Sequence, residues 1–428
     1  MGFSTSSPLT HVIAEHKRGA VIGIPSICSA NRFVIEACME QALADHSPLL
    51  VESTCNQVNQ YGGYTGMDAA AFTTYIGEIA AQMGFPVERL ILGGDHLGPF
   101  PWAGENPASA MDKARRLVQE YVAAGFVKIH LDASMPLGGE SAIDLTTSAQ
   151  RAAALCQAAE EVSSQVERTD PPRYVIGTEV PPPGGARETE SATQVTNPDE
   201  VQQTLEITHQ AFLQGGLEAA WERVIAVVVQ PGVEYGNDFV SAYQREPAAQ
   251  LASLIEGYPS MVYEAHSTDY QAPAALRQMV EDHFAILKVG PALTFAFREA
   301  VFALANIEKE WLGESHLLVS VEAAMQNDPG YWEGYYRGDE RQLTFARKYS
   351  LSDRIRYYWA RPEVQAALET LITRLEQNPP PLALISQHLP AQYWGVRQGR
   401  LRNEPRQLIR AKVREITAQY AWACGLSA

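Results

Sequence analysis

Two histidines and a neighbouring acid stand at the ends of short apolar runs, where their side chains could bind a metal ion. Asp95 and His96 end the run RLILGGDH, and His266 ends the run SMVYEAHS. Imidazole nitrogen is a common ligand of divalent metals, and a catalytic site combines about three protein ligands with an open position for substrate. A single histidine after a strand more often packs for structural reasons, so the metal hypothesis depends on the ends of the other runs.

The third metal ligand stays open on the residues alone. Gln230 ends the sixth apolar run with a carbonyl oxygen, and Glu179 ends the fifth with a carboxylate. His130 ends the fourth run, where strand alternation points it to the same side as Asp132. These residue types predict a divalent-metal site that combines two histidines with an oxygen donor.

The acids at the ends of the runs are candidates for proton transfer. Asp95 is adjacent to a presumed metal ligand, where a general acid or base could act on a substrate group that the metal polarises. Asp132 and Glu179 are the other candidate catalytic acids. Their alternative role is to orient the metal-binding histidines, because carboxylates commonly hold the second nitrogen of such rings.

Glycine-rich turns follow several runs and could bring backbone N–H groups close to a phosphate. YGGYTGM follows the second run, PPPGG the fifth and QPGVEYG the sixth, and helix amino termini favour an anion. Arg354 and Arg356 are expected to be solvated or to form intramolecular ion pairs. The candidate substrate- and phosphate-binding residues are Ser29, Asn56, Gln57, Gly232, Ser267, Thr268, Lys288 and Thr294.

The elements that must position these residues alternate regularly along the chain. Eight apolar runs rich in Val, Ile and Leu are separated by Ala-rich segments with apolar residues at helical spacing. This pattern indicates an α/β fold with a parallel sheet covered on both faces. Eight units over roughly 300 residues fit a closed (β/α)8 TIM barrel, whose strand ends converge on one mouth. An open doubly wound sheet is the alternative, but its Gly-x-Gly-x-x-Gly turn does not follow the first run.

The later part of the chain lacks strand-like runs. It is aromatic, turn-rich and helical in pattern, and it includes the amphipathic stretch EPRQLIRAKVREITAQYAWACG. We therefore predict a barrel over residues 1–312 and a helical C-terminal extension, packed on the barrel, over residues 313–428.

Charge and cysteine content argue against several classes of protein. A net charge of −17 argues against nucleic-acid binding, since such proteins concentrate Lys and Arg on one face. Five cysteines without a Cys-x-x-Cys pair, and no recognisable signal peptide, predict reduced thiols and a cytoplasmic location. The most apolar late stretch is interrupted by Lys288, Pro291, Arg298 and Glu299, so no membrane-spanning segment is predicted.

Several long motifs resemble one known family. The chain is similar to the Z-type subunit of tagatose-1,6-bisphosphate aldolase (GatZ/KbaZ) in CSAN, NQVNQYGGYTGM, LILGGDHLGP, KIHLDAS, VVVQPGVEYG, YEAHSTDYQ, LKVGPALTFAFREA and YSLSDRIRYYW. The resemblance implies a barrel related to class II aldolases. In those enzymes an Asp-His pair supplies the acid/base and a metal ligand, matching Asp95 and His96, and a further ligand histidine matches His266.

The sequence departs from zinc-dependent class II aldolases at Gln230, where those enzymes have a third ligand histidine. Some barrel ketose epimerases that resemble this family use a His, Gln, His set with a divalent cation. The resemblance thus implies His96, Gln230 and His266 as ligands of Zn, Mn, Co or Mg. The chemistry it implies is retro-aldol cleavage between C3 and C4, rotation of the aldehyde fragment, and re-addition with the opposite configuration at C4.

Two functional hypotheses follow from this resemblance. The first is a metal-dependent 4-epimerase or aldolase component acting on a ketohexose or ketohexose phosphate of the tagatose or fructose type; the acids and ligands at the strand ends favour it. The second is a non-catalytic subunit that stabilises tagatose-1,6-bisphosphate aldolase. The expected partners are the sugar, a Y-type aldolase subunit and a second copy of the chain in a homo-oligomer. A kinase is not expected, because no Gly-x-x-x-x-Gly-Lys-Ser/Thr loop occurs in the sequence.

Overall fold

The computed structural model describes residues 7–166, 170–177 and 194–427, and in these ranges eight parallel strands form a closed barrel. The strands are β1 (Ile24–Cys28), β2 (Leu49–Thr54), β3 (Leu90–Leu97), β4 (Lys128–Leu131), β5 (Arg173–Ile176), β6 (Val224–Val229), β9 (Val262–Ala265) and β10 (Ile286–Val289). Around the barrel they pair in the order β1, β10, β9, β6, β5, β4, β3, β2. A short antiparallel hairpin of β7 (Glu234–Tyr235) and β8 (Val240–Ser241) follows β6. The predicted (β/α)8 fold is confirmed.

The strands form where the short Val-, Ile- and Leu-rich runs are buried on both faces. All residues of β6 are buried, because helices cover the outer face while side chains fill the interior. The helices of this part are α1 (Pro8–Lys17), α2 (Arg32–Ala44), α3 (Ala69–Met83), α4 (Pro107–Ala123), α5 (Leu145–Ser163), α6 (Pro198–Gln214), α7 (Glu218–Trp221), α8 (Arg245–Glu256), α9 (Pro273–Glu281) and α10 (Pro291–Leu312).

The C-terminal part of the described chain is helical. It contains α11 (Leu317–Asn327), α12 (Glu340–Tyr349), α13 (Pro362–Gln377), α14 (Leu382–His388), α15 (Pro390–Arg397) and α16 (Pro405–Ala423). Helix α16 packs against α2, α9 and α10, so the extension is bound to the barrel along its outer face. The domain boundary after residue 312 stays a prediction. Among the described helices, none combines the length and apolar character needed to cross a bilayer.

Helix α1 covers the amino-terminal end of the barrel. Its residues Leu9, Val12 and Ile13 are buried against an apolar layer of the barrel interior, and we call this assembly the floor. The ring of His16 ties α1 to the barrel: Nδ1–H donates to the Ile22 carbonyl at 2.7 Å, and Nε2 lies 2.9 Å from His283 Nδ1. The interior residues of the floor are Ile24, Leu50, Ile91, Val175, Ile225, Ala226, Val228, Val262, Ala285 and Ile286.

Candidate active site

Four charged side chains fill the barrel interior above the floor, and we call them the charge layer. Lys128 Nζ lies 2.6 Å from Glu52 Oε1 and 2.7 Å from Glu264 Oε2, and none of these three side chains is exposed. Lys288 Nζ lies 3.1 Å from Glu52 Oε2 and 3.3 Å from Glu264 Oε1. Burial opposes charge on both lysines, but the carboxylates around them raise the pKa of Lys128 and Lys288. The layer is therefore a compensated set of buried ions.

Three histidines lie above the charge layer, at the mouth of the barrel. The ring centroids of His96, His130 and His266 are 4.9, 5.2 and 5.5 Å apart. His96 Nδ1 lies 2.8 Å from Asp132 Oδ2, and His266 Nε2 lies 3.0 Å from Glu264 Oε1. When each of these nitrogens donates to its carboxylate, His96 Nε2 and His266 Nδ1 carry the lone pairs, an arrangement typical of metal-ligating histidines.

Asp95 lies between the histidines and the charge layer. Its Oδ1 is 3.0 Å from His130 Nδ1 and contacts Lys288 Nζ, while its Oδ2 is 3.6 Å from His96 Nε2. Burial opposes ionisation of Asp95, but His96, Lys288 and the hydrogen bond with His130 lower its pKa well below the usual range. An ionised carboxylate on a cavity wall can accept a proton from a bound substrate.

These residues form a buried group that could bind a metal ion. The ligand atoms of Asp95, His130, Glu264 and His266 all lie within 4.8 Å of one another. Within the described part of the chain, His130 Nε2 is buried without a hydrogen-bond partner. Burial and Lys288 lower the pKa of His266 to about 3, so its ring is neutral. The acids around the histidines outnumber the lysines, which also suits a divalent cation.

The glycines of LILGGDHLGP make room for this geometry. A Cβ on Gly93 would clash with the carboxylate of Glu52, and a Cβ on Gly98 would overlap the backbone carbonyl of Asp132. The pairing of β3 with β4 is irregular here, and His96 has a φ of 48°. Left-handed backbone is strained for a residue other than glycine, and at this site it directs the His96 ring towards Asp132.

The third predicted ligand, Gln230, uses its side-chain oxygen in its own turn. The backbone N–H groups of Gly232 and Val233 donate to Gln230 Oε1 at 2.9 and 3.0 Å. Gln230 as a metal ligand stays a prediction, and the structure adds His130 as a competing donor beside His96.

The other two predicted catalytic acids are Asp132 and Glu179. Asp132 holds His96, and the backbone N–H and Oγ–H of Ser134 donate to its Oδ1 at 3.2 and 2.7 Å. These contacts suit orientation of the His96 ring, and direct catalysis by Asp132 stays a prediction. Glu179 lies outside the described residues.

Two adjoining cavities open at the mouth. Asp95, His96 and His266 line the inner cavity. The outer cavity has a volume of about 360 Å³ and is walled by α2, α10 and α13. Of the predicted substrate- and phosphate-binding residues, the inner cavity is lined by Asn56, Gln57, Ser267 and Lys288, and the outer by Ser29, Gln57 and Thr294. Thr268 is buried and donates to the Lys288 carbonyl, and the N–H of Gly232 donates to Gln230.

Residues outside the predicted catalytic, metal-binding and substrate-binding sets complete the site. Lys128 and Glu264 stand two residues before His130 and His266, and this spacing on a strand could have indicated that they share the inward face. Arg356 was expected to be solvated or ion-paired, yet it is half-buried and lines both cavities. Sequence spacing gave no signal for it, because it comes from the extension. The inner cavity is also lined by Cys28, Tyr64, Tyr235, Asp269 and Tyr357.

Fold and site together define a (β/α)8-barrel protein whose mouth carries a buried group of histidines and carboxylates able to bind a metal. Residues 9–425 match the family described as D-tagatose-1,6-bisphosphate aldolase subunit GatZ/KbaZ-like. The chain belongs to this family, as its motifs predict, and its role is related to that of tagatose-bisphosphate aldolase.

The chain is also similar to several solved structures. A probable tagatose 6 phosphate kinase from Sinorhizobium meliloti 1021 is 44% identical, with a TM-score of 0.87 over 94% of this chain and 100% of that chain. The YdjI aldolase from Escherichia coli K12 is 11% identical, with a TM-score of 0.42 over 85% of this chain and 94% of that chain. The fructose-bisphosphate aldolase from Campylobacter jejuni is 15% identical, with a TM-score of 0.45 over 87% of this chain and 93% of that chain.

Proposed function

We propose that the chain is a divalent-metal enzyme that breaks and re-forms the C3–C4 bond of a ketohexose or ketohexose phosphate of the tagatose or fructose type. It acts as a 4-epimerase or as an aldolase component. The observation that carries the proposal is the placement of Asp95 beside His96, His130 and His266, with Asp95, His96 and His266 lining one cavity. His96 and His266 would hold the ion, with Gln230 or His130 as the third ligand.

Asp95 is the proposed general acid/base. It accepts the proton of the C4 hydroxyl as the C3–C4 bond breaks, C4 becomes an aldehyde, and the electron pair stays on the fragment that contains C3. A divalent ion supplies Lewis-acid stabilisation of the negative charge on that fragment. Re-addition to the other face of the aldehyde inverts C4, and Asp132 or Glu179 is proposed to serve that face. Lys288 keeps Asp95 ionised and fixed through its ammonium contact.

The proposal is tested on the purified chain after removal of metal by a chelator. We expect no turnover without metal, and interconversion or cleavage of tagatose and fructose phosphates after reloading with Zn, Mn, Co or Mg. Carbon NMR follows inversion at C4, and a coupled assay follows release of three-carbon products. Turnover that is equal in stripped and reloaded protein would contradict the metal part of the proposal.

The third ligand is identified by metal content. We expect the variant that removes the true ligand to lower metal affinity by at least about 10-fold, and the other variant to stay near wild type. Gln230→Ala and His130→Ala are compared by equilibrium dialysis and elemental analysis, with His11→Ala, an exposed histidine on α1, as the control. Unchanged affinity in both variants would place the third ligand elsewhere.

The second candidate function is a non-catalytic subunit that stabilises a Y-type aldolase subunit. One observation favours it: Lys288 already provides a cation to Asp95 and Glu264, so the carboxylates of the mouth are partly balanced by the protein itself. Under this hypothesis the metal-loaded chain is inert on every ketose phosphate alone. Activity then appears only on addition of a Y-type subunit, and Asp95→Asn leaves that activity unchanged.

A further inference from the structure

A third cavity lies between α10 and the helices of the C-terminal extension, and we call it the extension cavity. It has a volume of about 620 Å³ and is bounded by α10, α11, α12, α14, α15 and α16. Among the described residues, those that line it are different from those that line the inner and outer cavities of the mouth. Sites for small organic molecules commonly have volumes of roughly 300–1,000 Å³, so this cavity is large enough for a ligand of its own.

Arg298 of α10 lines the extension cavity, and its hydrogen-bond donors are unused. The residue is 3% exposed, and its Nε is buried without a hydrogen-bond partner. Within the described part of the chain, no residue accepts a hydrogen bond from its guanidinium. The group stacks on Phe295, with Cζ 3.9 Å from the ring centre, and this contact leaves the in-plane N–H groups without acceptors. Buried donors without acceptors are unfavourable, so Arg298 can offer them to a ligand.

Asp353 is the counter-ion of Arg298, but it does not use these donors. Its Oδ1 lies 3.8 Å from Arg298 Nε, which is beyond hydrogen-bond distance, and its Oδ2 accepts from the Thr294 hydroxyl at 2.5 Å. Burial raises the pKa of Asp353 to about 7, although Arg298 acts to lower it. The charge of Arg298 is therefore compensated in part, whereas its capacity for hydrogen bonds is open.

The other charged side chains of the cavity limit the charge that a ligand can carry. Lys412 Nζ lies 3.4 Å from Glu299 Oε2 and 2.9 Å from Glu415 Oε2, so the charge of this lysine is already paired. The same two carboxylates would repel a dianion such as a phosphate monoester. A ligand with a single negative charge, held at Arg298, suits this arrangement best.

The remaining wall of the cavity is largely apolar. Phe302 and Leu389 are buried in it, and Leu318 and Tyr349 extend it. The ring of Tyr349 is in edge contact with Phe302, with the ring centres 6.2 Å apart. Such a surface favours an apolar or aromatic ligand body, because apolar area is removed from water and rings can pack against one another.

We propose that the extension cavity binds a small organic acid. Its single carboxylate accepts two parallel hydrogen bonds from the guanidinium of Arg298, whose planar fork matches the spacing of carboxylate oxygens. Its apolar or aromatic body packs on Phe302, Leu318 and Leu389. The inference goes beyond the proposed function and does not depend on it, because the site lies outside the cavities of the mouth.

The test measures binding of probe acids to the purified full-length chain, independently of turnover. Isothermal titration uses benzoate and 3-phenylpropionate, their neutral amides, and phenyl phosphate as a dianion. We expect each acid to bind roughly 10- to 100-fold more tightly than its amide, and phenyl phosphate to bind more weakly than benzoate. Arg298→Met should reduce the affinity for each acid to that for its amide, and Arg298→Lys should restore part of the difference.

Two further variants make the result independent of how well Arg298→Met folds. Ala391→Trp, at an exposed position that lines the cavity, should block entry of every probe. Arg115→Met, which removes an exposed arginine of α4 that pairs with Asp112, is the control and should bind all probes as wild type does.

Three results would overturn the inference. The first is equal affinity of the wild-type chain for acids and amides, or no binding of either. The second is acid binding that survives both Arg298→Met and Ala391→Trp, because the acids would then bind elsewhere. The third is tighter binding of phenyl phosphate, or of a peptide ending in a free C-terminal phenylalanine, which would reassign the cavity to a phosphate or to a polypeptide terminus.

Discussion

The two ends of the barrel interior are built from the same strands but from opposite chemistry. At the floor, Leu9 and Ile13 of α1 pack on an apolar layer that includes Ile24 and Ile286. Only two residues further along β10, Lys288 faces the carboxylates of the charge layer and the mouth. A step of two residues along one strand thus separates the apolar floor from a set of buried ions.

The difference shows how one barrel divides stability from chemistry. Apolar burial at the floor stabilises the fold without directional bonds, at about 25 cal/mol per Å² of surface removed from water. Buried ions at the mouth add little net stability, because desolvation offsets their attraction, but they hold donors and acceptors in fixed positions. Substitutions at the floor should therefore lower the free energy of unfolding, whereas substitution of the acid/base at the mouth should lower turnover.

The largest expected effect separates activity from stability at the mouth. Asp95→Asn should lower turnover by roughly 10²- to 10⁴-fold, the usual contribution of one general acid or base, while metal and ligand binding persist. Steady-state kinetics and titration calorimetry measure these quantities, and Asp112→Asn on the exposed face of α4 is the control. If Asp95→Asn keeps near-wild-type epimerisation and cleavage, the acid/base role belongs to another residue.

In the charge layer, removal of one charged side chain should lower the free energy of unfolding more than removal of an oppositely charged pair. Lys128→Met leaves Glu52 and Glu264 with Lys288 as their remaining cation, and we expect a loss of about 3–5 kcal/mol in the free energy of unfolding. The double variant Lys128→Met/Glu52→Gln should recover part of this loss, because one uncompensated carboxylate is removed. Urea unfolding measures both, and equal stability of the two variants would show that the layer does not act as a compensated set.

At the floor, a cavity should lower stability and leave chemistry intact. Leu9→Ala removes a fully buried side chain between α1 and the apolar layer, and we expect a loss of about 2–5 kcal/mol. Catalytic constants of the folded variant should match wild type. His11→Ala on the exposed face of the same helix is the control. A variant of Leu9 that changes turnover would show that the two ends are coupled.

The smallest effect concerns pH at the floor. Burial lowers the pKa of His16 from 6.5 to about 4, so the folded chain favours the neutral ring. The stabilisation it provides is complete above pH 6.5 and is lost as pH falls towards 4, by up to about 3 kcal/mol. His16→Phe should flatten the pH dependence of the free energy of unfolding over this range, so that the difference between wild type and variant changes with pH, as measured by urea unfolding at each pH. His11→Gln should leave the wild-type pH profile intact, and a His16→Phe profile parallel to wild type would refute the assignment.

The fold was predictable from the sequence because alternation of apolar runs with helical segments leaves few topologies open. The same rule found Asp95, His96 and His266, since parallel strands that close into a barrel bring their carboxyl ends together. The rule also placed Lys288 at the mouth, where it was expected to bind substrate. In the structure its ammonium contacts Glu52, Asp95 and Glu264.

Other parts of the site depend on three-dimensional packing that spacing does not encode. Lys128 and Glu264 lie inside strands, and their function depends on partners on other strands that the sequence does not identify. Arg356 and Tyr357 reach the mouth from the extension, and no periodicity of the barrel points to them. The local hydrogen bonds of Gln230 depend on the shape of its turn, which a residue type at a strand end does not reveal.

Helix α16 has a consequence for how the molecule is made. It packs against α2 and α10, beside the seam where β1 pairs with β10, and the Gly23 N–H donates to the Cys424 carbonyl at 3.0 Å. On the ribosome β1 emerges first, β10 much later, and α16 after both. Before β10 has been synthesised, the nascent barrel can form only an open sheet with two unpaired edge strands. Such edges are prone to aggregate until the seam closes. The helix that packs over this seam follows both edge strands in the chain, so it can protect the seam only after β1 and β10 have both been synthesised.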